Sequence, residues 1–322
     1  MRRRAFVAGI GSLLAQPWAA SAASPIRSYS VGFLDTAPRE GNANFAGFQQ
    51  VLLERGYIEG QNLTFEYRSA SGRNSSFAGL AGELVRLQVD VIVTRGTPAA
   101  LAARSATATI PVVMAAAGDP LAIARSQERS APNMTGFGAS VRGVERKRVE
   151  ILKEMLPNIS RIAAITNLSN PSRQAEWQEV EAAARSLSIE PRVLDMRVAT
   201  DIDRSFDLAR SWDAGALLVG SDTLIQTNQK HVIQLAASHR LPAIYTFRDF
   251  VDAGGLVSYG TSLSALYRRA ADYVDKILVG AKPRDLPIEP EGDLELVVNA
   301  KTASALGIAV PATLVSRAHM IE

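Results

Sequence analysis

The chain contains no cysteine among its 322 residues. This absence excludes disulfides, thiolate metal sites and a lipid-modified cysteine anchor. Only three histidines occur (His231, His239 and His319), and no cluster of histidines and acids has the spacing of a metal site. The sequence therefore predicts a protein with no metal, no cofactor and no membrane anchor.

Enzyme signatures are also missing. The chain has no G-x-S-x-G elbow and no glycine-rich dinucleotide fingerprint. An exported enzyme would need a general base, and the sequence nominates no residue for that role. We therefore expect a binding protein without catalytic residues.

Residues 1–22 have the pattern of a signal peptide. Arg2, Arg3 and Arg4 are followed by a weakly apolar stretch and by the small-x-small sequence Ala20-Ser21-Ala22. The apolar run of about 11 residues is too short for a bilayer core, which needs about 20. We expect export to the periplasm, and Arg3-Arg4 leaves both the twin-arginine and the general secretory routes open. The alternative is a frayed N-terminal helix of a cytosolic protein.

The leader also accounts for the basic character of the chain. The whole sequence has 35 Lys+Arg against 32 Asp+Glu, and removing the three leader arginines leaves 32 against 32. The sequence thus gives no reason to expect a nucleic-acid or anionic-membrane partner. The short basic run Arg146-Lys147-Arg148 is interpreted as a solvated helix face.

Short apolar or β-branched segments alternate with helical patterns along most of the chain. Several of them are continuous apolar runs, as expected for parallel strands that are covered on both faces. This alternation predicts the α/β class with doubly wound parallel sheets. The predicted strands are 29–34, 63–67, 89–94, 111–115, 161–166, 191–196, 216–219, 242–245 and 255–259.

Two lobes are expected, because about 300 mature residues exceed what a single hydrophobic core usually organises. The strand patterns also fall into two successive blocks, 29–136 and 161–259. In open α/β sheets, ligands bind at the carboxyl ends of the strands. The two lobes should therefore place those ends around a shared cleft.

Several stretches carry a resemblance to a known family. They are ERGYIEGQNLTFEYR (54–68), DVIVTRGTPAALAA (90–103), IPVVMAAAGDP (110–120), KRVEILKEMLP (147–157), GGLVSY (254–259), YRRAADYVDKILVGAKPRDLP (267–287) and LVVNAKTASALG (296–307). The chain resembles the ABC-transporter substrate-binding proteins that include tryptophan-binding members. The resemblance implies a type I periplasmic binding fold, in which two doubly wound lobes are joined by a multi-crossover hinge.

With that fold, we expect an N-terminal lobe of residues 27–137 plus 261–288 and a C-terminal lobe of residues 138–260 plus 289–322. The crossovers would lie near Phe137–Ser140, Gly260–Ser262 and Pro287–Asp293. Closure of the two lobes about this hinge would enclose the ligand.

Candidate ligand-binding residues of the first lobe follow its predicted strands. Thr97 and Pro98 open a helix whose N-terminal amides suit a carboxylate, although an ordinary capped turn explains them equally well on chemistry alone. Arg95 would pair with the ligand or with a neighbouring acid, and Asp119 would accept from a ligand amine or cap the next helix. The candidates are Asp35, Thr36, Arg95, Thr97, Pro98 and Asp119.

The second lobe supplies a similar set after its own strands. Asp222 is the acid most readily assigned to a ligand amine, with helix capping as the alternative. Tyr245, Phe247 and Tyr259 lie at or just beyond strand ends and would either stack on a flat ligand or belong to the core. The candidates are Asn167, Asn170, Ser221, Asp222, Thr223, Phe247 and Tyr259.

Together these features predict a monomeric periplasmic protein that captures a small ligand and delivers it to an inner-membrane ABC permease with its ATPase. A helix N-terminus opposite acids suits a zwitterion, so an amino acid, with the aromatic residues favouring an aromatic one, is the expected ligand. The alternative function is a periplasmic sensing module that presents ligand occupancy to a membrane receptor.

Overall fold

The computed structural model describes residues 28–125, 133–139, 141, 143–289 and 292–322. The predicted leader at residues 1–22 and parts of two predicted crossovers (Ser140, Pro290 and Glu291) lie outside these ranges. The described chain forms two α/β lobes, each built around one sheet.

The first sheet is entirely parallel. Its strand order is β11-β5-β4-β3-β1-β2. Its strands are β1 (Tyr29–Asp35), β2 (Leu63–Ser69), β3 (Val91–Arg95), β4 (Val112–Ala117), β5 (Met134–Gly138) and β11 (Ile288–Glu289).

The second sheet has one antiparallel pair and is otherwise parallel. Its order is β13-β12-β10-β9-β8-β6-β7, and β10 and β12 run antiparallel, which departs from the expected all-parallel arrangement. Its strands are β6 (Arg161–Thr166), β7 (Glu190–Asp195), β8 (Ala216–Val219), β9 (Ala243–Tyr245), β10 (Val257–Thr261), β12 (Leu294–Asn299) and β13 (His319–Ile321).

Helices cover both faces of each sheet. Two short 3₁₀ turns, Asn74–Ser76 and Pro283–Asp285, complete the helical segments. The α-helices are α1 (Ala43–Glu54), α2 (Phe77–Arg86), α3 (Thr97–Ala106), α4 (Pro120–Arg125), α5 (Val144–Met155), α6 (Pro171–Ser186), α7 (Asp201–Ser211), α8 (Thr223–Thr227), α9 (Gln229–Ser238), α10 (Arg248–Asp252), α11 (Leu263–Leu278), α12 (Ala300–Leu306) and α13 (Ala312–Val315).

The strand residues alternate between two hydrophobic cores in each lobe. In β1, Phe33 packs with α1 and α11, whereas Leu34 packs with α2 and α3 on the opposite face. In β6, Ala164 faces α5 and α6, whereas Ile165 faces α7 and α9. Burial on both faces explains why the strands read as continuous apolar runs.

The chain passes between the lobes three times: after β5, between β10 and α11, and between β11 and β12. The crossovers are bonded to one another. Thr261 Oγ1 donates to the Ala139 carbonyl at 3.0 Å, and Ser262 N donates to the Asp293 carbonyl at 3.2 Å. These contacts join the three connections into one multi-crossover hinge, as the fold class predicts.

Within the described ranges, no helix has both the length and the apolar character needed to cross a membrane.

A cleft between the two lobes

The carboxyl ends of strands from both sheets face one cleft. It encloses a cavity of about 60 Å³. The lining residues are Thr36, Arg95, Gly96, Thr97, Pro98, Ala116, Ala117, Gly118, Ala139, Val144, Glu145, Arg148, Asn170, Arg173, Glu176, Ser221, Asp222, Gln226, Thr246, Phe247 and Leu263.

Arg95, at the end of β3, is a buried cation on the first-lobe wall. Asp35 lies behind it, with 3.7 Å between Arg95 Nη1 and Asp35 Oδ1. The Tyr267 hydroxyl donates to Asp35 Oδ2 at 2.5 Å, and the Ala37 amide donates to Oδ1 at 2.9 Å. Burial alone would lower the pKa of Arg95, but Tyr267 and Asp35 raise it above its ordinary value, so the guanidinium stays charged.

The chain between β3 and α3 turns sharply at Gly96, whose φ of +87° is readily adopted only by glycine. Helix α3 then begins without a side-chain cap and with Pro98 in its first turn. The Thr97 hydroxyl accepts a hydrogen bond from the Gly118 amide at 3.1 Å. The N-terminus of α3 thus lies against the cleft, where its dipole favours negative charge.

Asp222 is held in place by amide groups. Its Oδ1 accepts from the Leu224 amide and from Asn167 Nδ2, both at 3.1 Å. Its Oδ2 accepts from Asn170 Nδ2 at 3.3 Å and, across the cleft, from Asn74 Nδ2 at 3.4 Å. The capping alternative is therefore realised, because Asp222 is the N-cap of α8.

Glu145 and Arg148 form a buried ion pair on the cleft side of α5. Arg148 is 1% exposed, so the interpretation of its basic run as a solvated face is wrong for this residue, although Arg146 is exposed. Arg148 Nε also donates to the Tyr259 carbonyl at 2.6 Å. Glu145 Oε2 is buried, and the described residues offer it no hydrogen-bond partner.

A second ion pair lies at the start of α6, between Arg173 and Glu176. Arg173 Nη1 also donates to Ser221 Oγ at 3.0 Å. Arg173 Nε is buried and is without a hydrogen-bond partner in the part of the chain that the structure describes. This wall of the cleft therefore carries an unused donor.

The charges around the cleft are nearly balanced. Arg95, Arg148 and Arg173 each lie beside a carboxylate, those of Asp35, Glu145 and Glu176 respectively. Asp222 accepts the hydrogen bonds described above from neutral amide groups, so those bonds do not neutralise its negative charge. Such a site favours a ligand that carries a positive group together with a negative one.

The apolar part of the lining includes Phe247, Leu263 and Val144. Phe247 lies in the second-lobe chain but packs into the hydrophobic core of the first lobe. Of the other two predicted aromatics, Tyr245 stacks on Phe250 with ring centroids 4.8 Å apart, and Tyr259 packs against the second-lobe core. Neither tyrosine lines the cleft.

The cleft brings together eight of the predicted binding residues: Thr36, Arg95, Thr97, Pro98, Asn170, Ser221, Asp222 and Phe247. Asp35 and Asn167 lie behind the lining, where they hold Arg95 and Asp222. Asp119 is exposed and accepts from the Ala122 amide at 2.8 Å, which is the capping alternative. Thr223 begins α8, and its side chain lies outside the described part of the structure.

Sequence reasoning missed Glu145, Arg148, Arg173, Glu176 and Gln226. One signal was present for the first pair, since Glu145 and Arg148 share a helix face with Val149 and Leu152. Charged residues on the apolar face of an amphipathic helix indicate burial. No comparable signal marks Gln226, because α8 has only five residues.

The lobes are closed over the cleft. Arg95 Nη2 donates to Gln226 Oε1 at 3.0 Å, Thr227 Oγ1 donates to the Thr36 carbonyl at 3.3 Å, and Asn44 Nδ2 donates to Asp249 Oδ2 at 2.9 Å. Each of these bonds joins a first-lobe residue to a second-lobe residue.

Two lobes, three chain crossovers between them and an enclosed polar cleft define a ligand-binding protein of the type I periplasmic fold. The sequence matches the family described as ABC transporter substrate binding protein over residues 40–321. The chain belongs to this family.

Known relatives cover most of the chain. A curated "Tyrosine-binding protein" from Clostridioides difficile is 25% identical over 263 residues, which are 81% of this chain and 75% of the relative. A conserved domain protein from Vibrio cholerae has a TM-score of 0.82 at 25% identity, with 92% of this chain and 100% of that chain covered. An ABC domain from Streptococcus pneumoniae in complex with L-Trp has a TM-score of 0.79 at 25% identity, with 90% and 100% covered.

Proposed function

We propose that this protein binds a free amino acid with an apolar or aromatic side chain in the interlobe cleft and delivers it to an ABC importer. The observation that carries the proposal is Glu145, which lines the cleft and whose Oε2 is buried without a hydrogen-bond partner in the described chain. A buried carboxylate oxygen needs a donor, and a ligand ammonium supplies one with a complementary charge.

The other polar end of an amino acid fits the opposite wall. Arg95 and the N-terminus of α3 together favour a carboxylate. Phe247 and Leu263 then offer apolar surface to the ligand side chain. The names of the relatives, one tyrosine-binding and one solved with L-Trp, support an aromatic amino acid.

Lobe closure is the proposed capture step. The moving units are residues 27–137 plus 261–288 and residues 138–260 plus 289–322, hinged at the bonded crossovers. A ligand shifts this equilibrium only by its differential affinity for the closed state. To turn a mostly open population into a mostly closed one, the ligand must bind the closed state about 10⁴-fold more tightly than the open state.

Calorimetric titration with L-tryptophan, L-tyrosine, L-phenylalanine and L-leucine tests the proposal. We expect at least one of them to bind, and Glu145→Gln to weaken its binding about 10-fold or more because a charge-assisted bond to the ammonium is lost. Glu150→Gln, on the same helix but paired with Arg146 and Lys147, is the matched control and should bind normally. Binding of sugars alone would contradict the proposal.

We further propose that residues 1–22 direct export to the periplasm, where the ligand is captured. Replacing Arg3 and Arg4 with lysine should stop export by the twin-arginine route and should matter little for the general secretory route. Retention of the whole, uncleaved chain in the cytoplasm of the wild type would contradict export itself.

A further inference from the structure

Gln226 has one end bonded across the cleft and the other end unused. Its Oε1 accepts from Arg95 Nη2 of the first lobe at 3.0 Å. The residue lines the cleft, and its Nε2 is buried and has no hydrogen-bond partner among residues 28–125, 133–139, 141, 143–289 and 292–322. The side chain therefore belongs both to the contact between the lobes and to the ligand site.

The chemistry of Arg95 settles which way the amide faces. A guanidinium has only donors, so the atom that meets it must be the oxygen of Gln226. Since the amide is planar, fixing Oε1 on Arg95 also fixes the direction of the NH₂ group. Closure of the lobes thus sets a buried donor at a defined place in the cleft.

This donor makes an empty closed cleft unfavourable. While the lobes are apart, water can satisfy both ends of the amide. When they close, Nε2 meets no hydrogen-bond partner among the described residues, and a buried donor that is left unpaired is costly. A ligand acceptor at that point removes the cost, and the neighbouring charge of Arg95 favours an anionic acceptor.

We propose that Gln226 determines specificity by making lobe closure depend on a ligand carboxylate, which accepts from Nε2 while Oε1 holds Arg95. This inference rests on the proposed amino-acid function and adds a reason for the lobes to stay open around amines that lack a carboxylate.

The variant Gln226→Glu tests the role of the Nε2 donor separately from that of the Oε1 acceptor. It keeps an oxygen for Arg95 but replaces the donor with a second, charged acceptor. We expect the ligand-free variant to unfold no earlier than the wild type, and its affinity for the bound amino acid to fall about 10- to 100-fold. Gln234→Glu, which adds the same charge at an exposed position of α9, should bind normally. Gln226→Met, which removes the donor without adding charge, should also bind more weakly.

Titration calorimetry gives the affinities, and the radius of gyration from small-angle scattering reports closure. The wild type should bind and close with tryptophan or tyrosine but bind about 10-fold or more weakly to tryptamine or tyramine. If no amino acid binds the wild type, the proposed function fails. If amino acids bind but Gln226→Glu binds equally well, or the amines bind as tightly as the amino acids, only the role of Gln226 is overturned.

Discussion

Arg148 shows how strongly a single buried charge depends on its partners. Its guanidinium is enclosed between the Glu145 carboxylate and the Tyr259 carbonyl, beside the crossover that follows β10. Moving such a charge out of water is costly unless it is paired and hydrogen-bonded. The Glu145–Arg148 pair is thus part of the cleft wall and also part of the packing near the hinge.

Arg148→Met should lower the free energy of unfolding by about 3–5 kcal/mol, because it leaves the Glu145 carboxylate buried without its cation. Chemical denaturation monitored by circular dichroism measures the loss. Arg146→Met on the exposed face of the same helix should change stability by no more than about 0.5 kcal/mol. Equal losses for the two variants would show that burial of the pair does not matter.

Residue-scale prediction from the sequence succeeded where strand ends determine the outcome. Arg95, Thr97 and Asp222 lie at or just after strand ends, so their position at the cleft can be inferred from topology. Whether such a residue faces the cavity or supports a neighbour is decided by packing. Asp35 and Asn167 lie at strand ends in the same way, yet they lie behind Arg95 and Asp222.

At the scale of elements, β5 depends on a glycine where it meets β4. Gly136 has a φ of +131°, and a Cβ placed there would lie 2.3 Å from the Met114 carbonyl oxygen. The strand is short and contains two glycines, so its sequence has little β character. These features explain why the sequence analysis did not predict β5.

Gly136→Ala should destabilise the protein by about 3 kcal/mol or more, because the new Cβ forces β5 away from β4 and the backbone angle is strained. Gly79→Ala is the control, since this exposed position within α2 has open space around it. The control should gain about 0.5–1 kcal/mol. Urea unfolding curves for the two variants should therefore shift in opposite directions, and parallel shifts would contradict this account.

Other element predictions were confirmed. All nine predicted strands overlap strands of the two sheets, namely β1–β4 and β6–β10. The strands β11, β12 and β13 were missed. The strands β11 and β13 are short and lie at sheet edges, and β12 and β13 carry charged or polar residues that interrupt the apolar pattern.

At the scale of the whole molecule, closure brings Gly72 of the first lobe against Thr227 of the second. A Cβ at Gly72 would lie 3.6 Å from the Thr227 Cβ. This separation falls within the range of about 3.5–4.5 Å that disulfides require. Because the chain has no cysteine, an engineered pair here would have no competing thiol.

The double variant Gly72→Cys/Thr227→Cys should form a disulfide that locks the lobes closed. A ligand bound before oxidation should then fail to dissociate, and a ligand added afterwards should fail to enter, as measured by exchange of labelled ligand. Reduction should restore exchange, and Gly72→Cys alone should exchange normally throughout. Free exchange in the oxidised double variant would show that ligand passage does not need the lobes to separate.

The sequence by itself determined the α/β class, most strands and the edge at which the cleft forms, because apolar periodicity is a local property of the chain and parallel strands place their carboxyl ends at one edge of a sheet. Only the tertiary structure decided which charges are buried, which acids serve as caps, and which side chains meet across the cleft. Glu145 and Arg148 depend on how α5 packs, and Gln226 meets Arg95 from 131 positions away in the sequence. The pairing of Gln226 with Arg95 arises from the closure of the two lobes, and no local pattern encodes it.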